Sequence, residues 1–554
     1  GYIEPHVSTA EWSADGTEGK PGKLTVYADT QGVFAVRDHL VAHLRLPMSQ
    51  VRVIPMEVGG AFGGKNNSYV DVVAALLARK ARRPVKVVMT RAETLLATGP
   101  SSGTVIRVKM GAKRDGHITA VQVTLYYEAG AYPGSLAGSG AGVMLGPYDF
   151  PHAQVDGYDV VVNKPPTSSY RAPGGTPANF AAEVVIDELA EKAGMDPLNF
   201  RLLNSARNGT ERVDGGIHQH IGAVEVLKAA KAHPHYTAPL GTPAEGMRRG
   251  RGVAHAYWGN WGARSSCTIT VNPDGTVGMV TGSVDITGTR TSLAMQAAEV
   301  LGLRMEQVKA SVGDTDSIGY SDVSAGSRTT IATGQAVIKA AQDVIAKMRA
   351  RAAAIWDVPV DSVTFVQGVF TTNADTEKRM TFAELAAMLP QTGNTVIGVG
   401  NVDVEEWGVA FGAHIVDVEV DPETGKVTLL RYTAVQDVGK AIHPTQVEGQ
   451  IQGGVVQGIG WALYEGYAYD EKGQMLNPNL LDYKLPTMLD LPPIEAVIVE
   501  VPYSNNPFGA RGVGEVPIIP PPAAIANALY RALGVRMTHL PMTPAHILER
   551  MGVL

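Results

Sequence analysis

Apolar residues fall on alternate positions in residues 23–30 (KLTVYADT), the period of a strand with one face buried. At 31–44 (QGVFAVRDHLVAHL) the spacing changes to three and four, which predicts a helix, and 51–58 (VRVIPMEV) reads as the next strand. A glycine-rich loop follows. The helical pattern at 68–83 (SYVDVVAALLARKARR) then ends in basic residues, which suit the negative pole of the helix dipole. Strand-like and helix-like runs alternate almost throughout, and a second such region opens near 250–259. Residues 238–251 (APLGTPAEGMRRGR) are rich in glycine, proline and charge and mark the expected domain boundary. A chain of 554 residues exceeds one ordinary core, because domains usually run to about 100–200 residues. The pattern predicts a mixed α/β (α+β) protein of two large domains, 1–240 and 241–554, with no obvious short repeat.

Composition narrows the class. Hydrophobic residues make up 45% and charged residues 18%, the balance of a well-packed globular chain. Lys and Arg number 47 against 54 Asp and Glu, a net charge of −7, and no basic run suggests a nucleic-acid partner. No apolar run approaches the roughly 18 residues of a membrane helix, so a soluble, cytoplasmic protein is expected. The chain opens at Gly1 without a signal-peptide pattern, and its start is read as a boundary within a longer or split protein.

The single cysteine, Cys267, excludes a disulfide, an iron–sulfur cluster or a thiolate zinc site held by this chain alone. Electrons from any redox chemistry must pass to another chain or a diffusible acceptor. His6, His39, His43, His218 and His220 lack carboxylate partners at ligand spacing, and no HExxH occurs. Residues 218–220 (HQH) read as a surface or loop pair, and no metal ligand is expected from the protein.

Six glycine-rich segments stand out: 59–65 (GGAFGGK), 170–177 (YRAPGGTP), 282–290 (GSVDITGTR), 324–330 (SAGSRTT), 448–460 (EGQIQGGVVQGIG) and 510–517 (ARGVGEVP). Each is expected where a strand gives way to a loop or helix. Glycine there lets backbone N–H groups converge on an anion, with a helix N-terminus adding a favourable dipole. Arginines in these segments are candidate phosphate contacts. Residues 59–66 lack the spacing and hydroxyl of a Walker loop, and 398–403 (GVGNVD) hold only half of a dinucleotide fingerprint. Any one segment is readily a tight turn. Six together favour one large phosphate-bearing ligand held by many loops. Glu515 lies among apolar and glycine residues, where burial would raise its pKa toward that of a general base; a helix-capping glutamate is the plainer alternative.

These segments, in this order, resemble the molybdenum-binding subunit of the xanthine oxidase and aldehyde oxidase family of molybdenum hydroxylases. Residues 59–65 resemble its glycine–phenylalanine loop, 168–183 its arginine loop, 447–465 its glutamine-bearing helix, and 512–515 (GVGE) its catalytic glutamate segment. Residues 196–204 and 436–450 add to the likeness, which runs from Gly1 to beyond Glu515. The resemblance implies a molybdopterin, or its cytosine dinucleotide, buried between the two domains, with Mo held by the pterin. By position, Gln31, Gly60, Phe62, Gly63, Arg171, Thr287, Gly288, Ala325, Gly326, Ser327 and Gln457 are the implied cofactor contacts. Glu515 is the implied base, and Phe62, Asn66 and Pro173 the implied substrate pocket.

The implied reaction inserts water-derived oxygen at an electron-poor carbon and passes two electrons through [2Fe-2S] and FAD groups on partner subunits. A dimer of heterotrimers is expected, with another chain or segment supplying the amino-terminal domain that the family carries ahead of residue 1. Asn66 stands where xanthine-oxidising members have a glutamate, Pro173 where they have an aromatic, and Thr287 in place of a glutamine. The arginine loop also lacks the cysteine of the carbon monoxide branch. An aldehyde or N-heteroaromatic substrate is therefore expected. The alternatives are the aromatic coenzyme A thioester branch and a non-catalytic relative that binds the pterin without turnover.

Overall fold

The computed structural model describes residues 2–13, 22–373, 375–405 and 408–554. The first sheet takes the order Val51–Pro55, Leu24–Ala28, Val7–Trp12, Val85–Val88. Leu24, Val26 and Ala28 point alternately into the core, as the period-2 pattern predicts. The helix Val33–Leu44 crosses over and returns the chain as Val51–Pro55, parallel to Leu24–Ala28. The helix Asp71–Ala81 covers the same sheet with a small-residue face of Ala74, Ala75 and Ala78.

A second sheet repeats this plan. Ala263–Val271 pairs antiparallel with Val277–Thr281, the helix Thr289–Leu301 crosses over, and Val308–Val312 returns parallel. Both crossovers end in one 3-10 turn before the returning strand, at Met48–Gln50 and Met305–Gln307. The local sequences are alike, LPMSQV at 46–51 and LRMEQV at 303–308. The chain thus contains a duplicated β-β-α-β unit of the kind the period analysis did not find, because only these few positions kept matching residues. The two units pack together: Thr315 N–H donates to Val53 O at 3.1 Å and Arg52 pairs with Asp314 at 2.5 Å.

A third sheet, ordered Ile494–Val499, Val427–Asp437, Val409–Val420, Arg248–Gly259, is covered by the helices Pro444–Leu463 and Pro521–Leu533. Helices from earlier in the chain also reach it, among them Ala223–Ala232. Within the helix Gly175–Lys192, Glu183 pairs with Arg201 at 2.8 Å, both side chains fully buried, and accepts the His255 N–H at 2.8 Å. Residues before and after the expected boundary therefore interlock. A three-stranded sheet of Thr104–Ala112, Ile118–Gly130 and Ala153–Val161 packs under the same 175–192 helix. Among the described residues, no helix is long and apolar enough to cross a membrane.

Candidate active site

Loops from all three of the larger α/β layers converge on one cavity of about 220 Å³. Gln31, 2% exposed, ties two of them together. Its Nε2 donates to Ser324 O at 2.7 Å, and its Oε1 accepts from the N–H groups of Gly63 at 2.8 Å and Lys65 at 3.3 Å. One amide thus links the 59–65 loop to the 324–327 loop. Lys65 itself turns away from the cavity into a buried cluster, pairing with Asp29 at 2.9 Å and Glu4 at 2.5 Å. Burial pushes Asp29 up to about 6 despite that lysine.

Opposite these loops lies Arg171, 7% exposed. Its Nε donates to Gly514 O at 2.5 Å, its Nη1 to Gln457 Oε1 at 3.0 Å and its Nη2 to Gln450 O at 3.0 Å. Its guanidinium also lies over the Phe62 ring, 5.8 Å from the centroid. Burial lowers its pKa to about 10. Next to it sits Glu515. Ala172 N–H donates to Oε1 at 3.2 Å and Ser327 Oγ to Oε2 at 2.7 Å. Complete burial raises the carboxyl pKa, while Ser327, Ala172, Arg171 and the Trp258 indole favour the ionised form and hold part of that rise back. Glu515 precedes the turn Val516–Ile518 but makes no capping bond, so the capping alternative fails.

Three non-glycine residues at the cavity adopt left-handed backbone: Phe62 (φ 53°), Ala172 (φ 57°) and Ser327 (φ 58°). Such conformations are costly and persist only where surrounding contacts impose them. Here they aim the Ala172 N–H and the Ser327 hydroxyl at one carboxylate. At Gly63 (φ 103°) a Cβ would sit 2.5 Å from Ser169 O, so the 59–65 loop can approach the arginine loop only with glycine there.

The cavity is lined by Gln31, Gly60, Phe62, Gly63, Asn66, Arg171, Pro173, Thr287, Ala325, Gly326, Ser327 and Glu515, all singled out from the sequence. Gln457 stands behind it, as a partner of Arg171. Gly288 lies just outside, at the start of the helix Thr289–Leu301. Several expectations change. Residues 448–460 lie inside the helix Pro444–Leu463, not at a strand junction. Their glycines serve packing: a Cβ at Gly458 would sit 2.5 Å from the Pro521 ring, and one at Gly454 would run into Pro517. The anion nest at 282–290 exists, but Asp285 fills it. Its Oδ1 accepts from Gly288 N–H at 2.6 Å and Thr289 N–H at 2.8 Å.

Arg328, Arg290 and Arg511 are engaged by groups of the protein itself. Arg328, 1% exposed, donates to Gly262 O, Arg264 O and Ser265 Oγ among others. Arg290 binds Asp285, and Arg511 forms a buried pair with Asp437 at 2.9 Å. His218 is not a surface residue: it is buried, 2.9 Å from Gly146 O through Nε2, while His220 is exposed. Among the described residues, no group of three or more His, Cys, Asp or Glu side chains gathers as a metal site. Cys267 is buried, and burial pushes its thiol pKa well up.

Sequence reasoning missed Trp258, Gln450, Lys440, His443 and Gln446, which also line the cavity. Gln450 and Gln446 lie on the helix that carries Gln457, at spacings of one or more turns, and that period was the available signal. Trp258 had no local signal, since it ends an ordinary buried strand.

Two molybdopterin cofactor-binding domain families match the chain, over residues 1–205 and 227–492. The xanthine dehydrogenase molybdenum-binding subunit of Escherichia coli O157:H7 is 32% identical over 567 residues, covering 98% of this chain and 74% of that protein. The aldehyde oxidoreductase molybdenum-binding subunit PaoC of the same strain is 31% identical, covering 99% and 74%. The crystal structure of quinoline 2-oxidoreductase from Pseudomonas putida 86 superposes with a TM-score of 0.92 at 27% identity, over 99% of this chain and 74% of that one. The chain belongs to the xanthine oxidase and aldehyde oxidase family of molybdenum hydroxylases, as a molybdenum-binding large subunit.

Proposed function

We propose that this chain oxidises an aldehyde or an N-heteroaromatic compound at an electron-poor carbon, with Glu515 as the general base. The observation that carries the reading is the buried carboxylate of Glu515, which lines the cavity held between Ala172 N–H and Ser327 Oγ. The residues present suit a pterin cofactor. Asn66 lines the cavity with its Oδ1 buried and without a hydrogen-bond partner, and glycine backbone at 60, 63 and 326 leaves the walls bare. The cofactor, molybdopterin or its cytosine dinucleotide, would lie between residues 1–240 and 241–554. It would be held by Gln31, Gly60, Phe62, Gly63, Arg171, Thr287, Gly288, Ala325, Gly326, Ser327 and Gln457.

When bound, the molybdenum pterin supplies the oxygen-transfer and two-electron chemistry. The protein's share is positioning and proton handling. Glu515 accepts a proton from the reacting water at a carboxylate oxygen, and burial makes it a stronger base than a solvated glutamate. Ser327 and Ala172 fix that carboxylate in place, and Arg171 locks the 510–515 segment that carries it. Phe62, Asn66 and Pro173 would face the substrate. Electrons would leave through iron–sulfur and flavin groups on partner subunits.

The test is molybdenum content by elemental mass spectrometry, with release and identification of the pterin, followed by turnover with aldehydes and N-heteroaromatics. About one Mo per chain with turnover supports the reading. Mo and pterin without turnover of either class would assign a binding-only relative, and a folded sample lacking both would remove the reading.

A further inference from the structure

A second cavity, of about 620 Å³, adjoins the first, and none of the catalytic or cofactor residues proposed above lines it. Ala61 and Ser169 line both cavities, on loops joined by a bond from Arg171 N–H to Phe62 O at 2.9 Å. The second cavity has aromatic walls. Trp461 stacks on Tyr170, with centroids 5.9 Å apart and planes 7° from parallel, and Tyr467 meets Tyr483 edge to face at 5.7 Å. Glu465 lies among these rings and accepts from the Tyr483 hydroxyl at 2.5 Å. Its charge also reaches Tyr170 and Tyr467, where it opposes ionisation of the hydroxyls.

Glu465 follows the C-terminus of the helix Pro444–Leu463, whose last turn borders the same cavity through Trp461. The negative pole of a helix dipole and a carboxylate together favour a cation, and aromatic faces attract one as well. Asp482 adds a second carboxylate to the lining. Of the lysine and arginine there, Lys164 is paired with Glu128 at 2.8 Å and Arg91 donates to the backbone oxygen of Ile3. The Tyr170 hydroxyl is buried and without a hydrogen-bond partner, as is that of Ser102 on the same cavity. A buried hydroxyl left unbonded is costly, and a phenylalanine would stack on Trp461 equally well. The oxygen at Tyr170 is thus placed to accept from a ligand. We propose that the second cavity binds an aromatic amine in its protonated form, with the ring against the aromatic walls and the ammonium group between Glu465 and the Tyr170 hydroxyl. The site is separate from the reaction cavity and does not depend on the hydroxylase reading.

The test titrates the full chain at pH 7 with 2-phenylethylamine, which is protonated there, and with 2-phenylethanol, its neutral counterpart, by isothermal titration calorimetry. The amine should bind at least about tenfold more tightly, the scale of one charge-assisted hydrogen bond. Glu465→Gln keeps the shape and removes the charge, and should bring the two affinities to within about threefold of each other. Tyr170→Phe should weaken the amine by about three- to tenfold. It should also melt no lower than wild type, because its hydroxyl bonds nothing in the protein. Should Glu465→Gln fail to fold, Tyr170→Phe decides alone. Equal or tighter binding of the alcohol by the wild-type protein overturns the inference. So does a preference for the amine that survives in folded Glu465→Gln, or an undiminished amine affinity in Tyr170→Phe.

Discussion

Ser327 and Glu515 lie 188 residues apart and meet at 2.7 Å, the serine hydroxyl donating to a fully buried carboxylate. That bond favours the ionised carboxylate against the burial that opposes it. Ser327→Ala removes it, so the carboxyl pKa rises further and a larger share of the base is protonated at acidic pH. The acid limb of the kcat/KM profile should move to higher pH. Activity at pH 6 should fall up to about tenfold, and by a smaller factor at pH 8, as pH–rate profiles of both proteins would reveal.

Glu515→Gln keeps the shape and one acceptor oxygen but cannot take a proton. Turnover should fall by at least about a hundredfold with molybdenum content unchanged. Near-native turnover would remove Glu515 from its role.

Gln31 makes three hydrogen bonds to the backbone of two loops. Gln31→Ala leaves those three buried groups unsatisfied and should cost about 3 kcal/mol or more, on the scale of about 1–3 kcal/mol per orphaned group. Thermal unfolding would register the loss, and molybdenum retained per chain should drop with it.

Asp29 carries a pH dependence of its own. Its pKa is about 6 in the fold, against about 3.9 unfolded, so its favourable contribution is full below the unfolded value and is lost as pH rises through about 6. Asn cannot ionise and escapes that loss. The stability of Asp29→Asn relative to wild type should therefore rise between pH 4 and pH 7, by about 2 kcal/mol, in denaturant unfolding at each pH. A flat difference would show that the buried Lys65 fully compensates the charge.

Gly454 presses the helix Pro444–Leu463 against the turn that follows Glu515, where a Cβ would meet Pro517 and lie 3.2 Å from Ile518 N. Proline rings and backbone yield little. Gly454→Ala should cost about 1–3 kcal/mol by overpacking and should lower kcat more than it raises KM, because the displaced element carries the base. Steady-state kinetics beside a melting curve separates the two effects.

Local periodicity carried much of the fold. The alternation at 23–30 and the helix at 31–44 lie where their patterns place them, because backbone period and side-chain burial are local properties. The duplicated unit escaped notice because packing needs only similar volumes, and few identities survive at 46–51 and 303–308. His218 was misjudged because the neighbours that bury it, Tyr257 and Phe411, come from distant strands.

The site divides along the same line. By itself the sequence determined which segments matter: the glycine loops, the arginine loop and the glutamate after GVG are short and carry their chemistry in their own residues. Only the tertiary structure decided what each residue does. Asp285 occupies the nest its own loop makes, and Arg328 is consumed by carbonyls. Whether a donor or acceptor is satisfied depends on groups hundreds of residues away, and no local pattern records them.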